Sequence, residues 1–143
     1  MPNGKLHKQV GGMTGAVCGA YVARNENTPY AIAAILGGAL GGVVGGKLPD
    51  VIEPAVHPRH RSVAHAVVPM TTVGVAIYER WRAGIQECLR CANLPVQQAR
   101  GEINWNKAWH LFLAGLMAGL AGGYVSHLVM DATMSKSSLP IFG

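Results

Sequence analysis

The chain has 143 residues, a length suited to one domain. Half of them are apolar and 13% are charged, against a usual charged share of about 25%, so little polar surface is left to wrap a water-soluble globule. The formal net charge of +5 comes without an aromatic-plus-basic pattern, which excludes a nucleic-acid module, and three cysteines are too few for a disulfide scaffold.

The N-terminus holds Lys5, His7 and Lys8 ahead of the first apolar segment, 9–23. That segment is studded with glycine and lacks a clean cleavage site, so it reads as a retained helix and not as a signal peptide. The second segment, 28–46, carries no charge and is long enough to cross a bilayer. Its glycines are ordered: Gly37, Gly41 and Gly45 recur every four residues, as do Gly11, Gly15 and Gly19 before them and Gly115, Gly119 and Gly123 later. Every fourth residue falls on nearly one helix face, so each stripe is a groove where another backbone can approach closely. In water a helical glycine costs about 1 kcal/mol relative to alanine, so the stripes imply tight packing that offsets the loss.

Pro49, Pro54 and Pro58 predict an irregular, stiff loop over 47–60, with Asp50 and Glu53 inside it. The stretch "HPRHRSVAH" (57–65) follows, with three of the six histidines and two arginines. A third helix is expected over 62–92, kinked at Pro69. Its second half is polar and holds Cys88 and Cys91, a lone C-x-x-C that reads as two cysteines on one helical turn, since a zinc ribbon needs a second pair. Residues 93–104 are a polar connection, and a fourth helix spans 105–131. Trp81, Trp105 and Trp109 suit either a membrane interface or packing on the bundle.

The fold class expected is all-α: a four-helix, glycine-rich bundle embedded in a membrane, with a metal site at one end. The site follows from alternation. If the helices run up, down, up, down, then His7, Asp50, Glu53, His60, His65, His127 and Asp131 all gather at one end, and His110 lies at the other. Imidazoles and carboxylates in an apolar bundle are costly unless paired, and a divalent metal removes that cost. His7, Asp50, His60, His65, His127 and Asp131 are the candidate ligands, with zinc the leading metal and manganese or iron alternatives. His57 reads as solvent-facing or as a partner of a ligand. Arginines 80, 82, 90 and 100 and Lys107 are expected on the side opposite the metal, where they balance the basic residues near it and leave the positive-inside rule without a vote.

Four stretches in order, His7 ahead of a glycine-containing helix, "GGKLPDVIEP" (45–54), "HRSVAH" (60–65) and "GYVSHLVMDATMSKSSLP" (123–140), resemble the YdjM-like family of predicted inner-membrane metal-dependent hydrolases. The resemblance implies a bacterial inner-membrane location and a metal site that activates water. It is read here as a hydrolase of an amphiphilic ester or phosphoester, with Glu53 as general base and Arg61 steadying negative charge. The chain departs from the family's patterns at Glu53, which stands one position after the usual second acid. It departs again at Ser62, Ala64 and Ala66, which replace a glycine and two hydroxyl residues. Those losses favour the alternative, a non-catalytic membrane scaffold or complex subunit with a structural metal. The partners expected are membrane lipids and a homo-oligomer or membrane complex joined through glycine-rich faces, with no nucleic acid.

Overall fold

The computed structural model describes residues 4–52, 67–95 and 101–134. They form five helices in the order α1 (Gly4–Val22), α2 (Thr28–Gly45), α3 (Leu48–Ile52), α4 (Val67–Ala92) and α5 (Trp105–Met134), with no strand among the described residues. The helix α1 begins several residues before the apolar run does, because nothing in Gly4–Gln9 opposes helix and His7 is itself buried. Pro29 stands in the first turn of α2, where its missing N–H would have no partner anyway. Asn104 caps α5, its Oδ1 accepting from the Lys107 N–H at 2.9 Å.

The glycine stripes hold α1, α2 and α5 together. A methyl group on Gly15 would overlap the carbonyl oxygen of Gly38, and one on Gly11 would overlap that of Gly42. On the other face of α2, a methyl on Gly41 would strike the Leu116 carbonyl; from α5, one on Gly119 would strike Gly38 and one on Gly123 would strike Gly42. Such pairings fix direction as well as distance. Ascending positions on α1 meet descending positions on α2, so these two helices are antiparallel, whereas α2 and α5 ascend together and are parallel. The stripes are engaged within the chain, one helix against the next.

The helix α4 is attached differently. Among the described elements it packs on α5 alone. Trp81 reaches across with its Nε1–H donating to the Met117 carbonyl at 2.7 Å, and Gly84 leaves room for the Met117 side chain. Ala92 joins Ala23, Ala34 and Leu111 in a small core at the end where α1 turns into α2. That end is tied further by Lys107 Nζ to Glu26 Oε2 at 2.7 Å and by the Asn104 N–H donating to Tyr30 Oη at 3.0 Å.

Two expectations change. Residues 48–52 of the predicted loop are helical, because Pro49 falls in the first turn of α3, where proline is tolerated, and its ring is fully buried. The remainder of that loop, the helix start at 62–66 and the carbonyl of His65 that Pro69 would fail to bond lie outside the described residues. The second correction concerns charge. Trp81 sits beside Met117, so Glu79, Arg80 and Arg82, all exposed, lie alongside the middle of α5 and not beyond its end.

The outer surface is therefore two-sided. On α1 and α2 it exposes Met13, Val17, Ile32, Leu36, Leu40 and Val44. On α4 it exposes Glu79, Arg80, Arg82, Gln86, Glu87 and Arg90. Two helical stretches, Thr28–Val51 and Trp105–Thr133, are long and apolar enough to cross a membrane.

Gly42→Ala should test the packing. Helix propensity alone favours alanine by about 1 kcal/mol. Overpacking against the Gly11 backbone is expected to reverse the sign and destabilise the bundle by about 2 kcal/mol or more. Thermal unfolding followed by circular dichroism reads the difference; a raised midpoint would refute the close approach.

Candidate metal centre

The stripes do not stop at the last glycine. One four-residue step before Gly11 on α1 is His7. One step after Gly42 on α2 is Gly46, and one step after Gly123 on α5 is His127, followed at the next step by Asp131. The register that lets the backbones touch thus delivers these four residues to the same end. Gly46 follows the last residue of α2, and its lack of a side chain leaves room for the His7 carbonyl, which a methyl there would crowd at 2.6 Å.

His7, His127 and Asp131 are all buried. The two imidazole rings stack, with centroids 3.9 Å apart and planes 22° from parallel. One ligand atom from each of the three residues lies within 4.8 Å of the others, so the group can hold a metal ion. His127 Nε2 lies 3.4 Å from Asp131 Oδ2 and 3.5 Å from Asp50 Oδ1, and His7 Nε2 lies 3.7 Å from Asp131 Oδ1. The short helix α3 carries Asp50 over His127, with the neighbouring Pro49 buried beneath it. Unlike the other three, the Asp50 side chain is 49% exposed, so it stands at the mouth.

The second nitrogen of His127 settles the tautomer. Nδ1 lies 2.7 Å from the Gly46 carbonyl oxygen, which can only accept, so Nδ1 carries the proton and donates it. In the neutral ring Nε2 then presents a lone pair toward the Asp131 and Asp50 carboxylates, which also carry only lone pairs. With bonds near 2.1 Å, donors around a tetrahedral metal are spaced about 3.4 Å apart, close to the three histidine–carboxylate separations, and the His7, His127 and Asp131 ligand atoms as a group lie within 4.8 Å. The carbonyl that orients His127 is also one of the orphan acceptors at the end of α2, so a single hydrogen bond caps that helix and aims a ligand.

The sequence-derived candidates divide by location. His7, Asp50, His127 and Asp131 come together. His60, His65, Glu53 and Arg61 lie outside the described residues, as does His57. His110 is at the opposite end of α5, with its Nδ1 2.8 Å from the Asn106 carbonyl. The contribution of Gly46 was not anticipated; its place in the stripe 38, 42, 46 was the available signal.

Cys88 and Cys91 are free thiols on α4. Burial pushes the Cys88 thiol up, which disfavours the thiolate a metal needs. Cys91 Sγ lies 3.5 Å from Glu87 Oε1, and a hydrogen bond from Arg90 lowers the Glu87 carboxyl to about 2. This exposed Arg90–Glu87 pair, 2.8 Å from Nε to Oε2, is a local surface contact of small energetic weight.

Comparisons with family models, with curated proteins and with solved structures found no match.

The tautomer is measurable. In protein labelled with nitrogen-15 at histidine, the His127 ring should show a protonated Nδ1 and a bare Nε2. A protonated Nε2 with a bare Nδ1 would remove the Gly46 bond and the aim it gives the ring.

Proposed function

We propose that the chain is a small membrane-bound hydrolase that depends on a divalent metal held by His7, His127 and Asp131, with Asp50 at the mouth beside it. The observation that carries the reading is the spacing of these donors, which suits a coordination shell and comes from three separate parts of the fold. Zinc is the favoured ion because two imidazoles and one carboxylate, from His7, His127 and Asp131, suit a three-donor shell whose fourth tetrahedral position, beside Asp50, is left for water. Held there, such an ion would lower the pKa of a bound water toward about 7 and polarise the bond to be cleaved. The overall reaction adds water across an ester or phosphoester, giving an acid and an alcohol.

The chain's own residues divide the remaining work. His127 is aimed by Gly46, His7 stacks on it, and Asp131 lies within reach of both rings. Asp50, half-exposed at the mouth, marks the side by which water and substrate would enter, an access that a hydrolytic site needs and a closed structural site does not. His60 and His65 as further ligands, Glu53 as base and Arg61 as anion partner rest on the sequence pattern, as does membership of the YdjM-like family. Membrane residence is supported by the two apolar stretches and by the aliphatic outer faces of α1 and α2.

A second reading, a complex subunit with a structural metal, draws on α4. Its exposed Glu79, Arg80 and Arg82 lie beside the middle of an apolar helix, a depth at which lipid is a poor environment for charge. A polar partner covering that face would relieve the cost.

Elemental analysis of the purified chain should find about one zinc, manganese or iron ion per chain, and Asp131→Asn should weaken its binding by ~10-fold or more. Asp50→Asn, at the exposed mouth, should depress hydrolysis of a nitrophenyl ester while the unfolding midpoint stays within a few degrees. Metal-free protein that is as stable as untreated protein and equally active would end the proposal. Metal that raises stability with no turnover would select the structural reading.

A further inference from the structure

An open groove of about 740 Å³ runs along the side of the bundle between α1 and α4. It exists because α4 packs on α5 and not on α1, so the two outer helices stand apart with α5 as the floor. Val10, Thr14 and Cys18, spaced four residues apart, form one wall. Trp81 and Ile85 form the other, with Arg82 and Gln86 on its rim. The floor is lowered by small residues, Ala118, Ala121 and Gly122; the Cys18 thiol approaches Gly122 so closely that a methyl there would lie 2.8 Å from it.

The groove ends within a helical turn of the metal centre, although none of His7, Asp50, His127 and Asp131 lines it. Its floor ends at Val129 and Met130, beside Asp131, and its α1 wall ends at Val10, one turn from His7. From Ala118 to Met130 the floor covers twelve residues of α5, about 18 Å at 1.5 Å per residue.

We propose that this groove seats one acyl chain of a membrane lipid, so that the substrate of the metal centre is an amphiphile whose ester or phosphoester group reaches His7, His127 and Asp131 while its tail lies between α1 and α4. The substrate assignment rests on the hydrolase reading; the seating of the chain does not. The lining selects the occupant. An extended peptide would bring a backbone N–H and C=O at every residue, and a lining mostly of Val, Ile, Trp, Ala and Met offers polar partners only at Thr14, Ser126, Arg82 and Gln86 among the described residues. An acyl chain needs none, and each methylene it buries contributes about 0.8 kcal/mol. No described carboxylate lines the groove.

The test uses the full chain in nanodiscs of phosphatidylethanolamine and phosphatidylglycerol that contain a phosphatidylethanolamine with a diazirine on its acyl chain. After irradiation, adducts are mapped by tandem mass spectrometry. Leu36 and Leu40, exposed on the outer face of α2, report bulk lipid contact. Adducts at Cys18 and Ile85 should exceed those at Leu36 and Leu40 by threefold or more. Ala121→Trp, which fills the floor at an exposed position, should cut labelling of Cys18 severalfold and leave Leu36 unchanged. Equal labelling of groove and outer face, or labelling of Cys18 that is indifferent to Ala121→Trp, would overturn the proposal. Metal content measured on the same samples separates the two readings: groove labelling without metal removes the hydrolase alone, and metal without groove labelling removes the acyl seat alone.

Discussion

Everything in this molecule follows from how closely three helix backbones approach one another. Along α1, α2 and α5 the contact surface is built from glycine, so carbonyl oxygens meet α-carbons where side chains would usually intervene. In hydrocarbon, where apolar side chains gain little from leaving lipid for protein, such close van der Waals contact is a main source of helix association. It is also unforgiving, because a carbonyl oxygen on a helix cannot rotate away from an added methyl as a flexible side chain can.

That rigidity is what a site assembled from helix ends requires. His7 belongs to the first turn of α1, Gly46 follows the last turn of α2, and His127 and Asp131 lie in the last turns of α5. None of these termini is held by a local turn to the others. Their positions are set by the same four-residue stride that places the glycines, continued one step further. The buried hydrogen bond from His127 to Gly46 then converts a packing register into a chemical orientation, since it decides which ring nitrogen faces the carboxylates.

The fourth long helix obeys other rules. Anchored by Trp81 and Gly84 on Met117, α4 leans on one neighbour, and its outer face carries charge of both signs. This asymmetry produces the groove and gives the bundle one aliphatic side and one charged side. Three tightly fused helices and one looser one also separate two tasks, since the glycine-packed trio holds the donors still while the space beside α4 stays open.

The sequence by itself determined the helical class, the long apolar segments and the stripes, because helix period and glycine spacing are local properties of the chain. Alternation of direction was enough to place His7, Asp50, His127 and Asp131 at one end, and His110 at the other. What tertiary structure alone decided was contact. A stripe says that a backbone will come close without saying whose; here α1, α2 and α5 met one another, which fixed the stacking of His7 on His127 and revealed Gly46 as the acceptor that aims the ring. The depth of the α4 charges was equally hidden, because it depends on where Trp81 lands on α5, a pairing of residues thirty-six positions apart that no local pattern encodes.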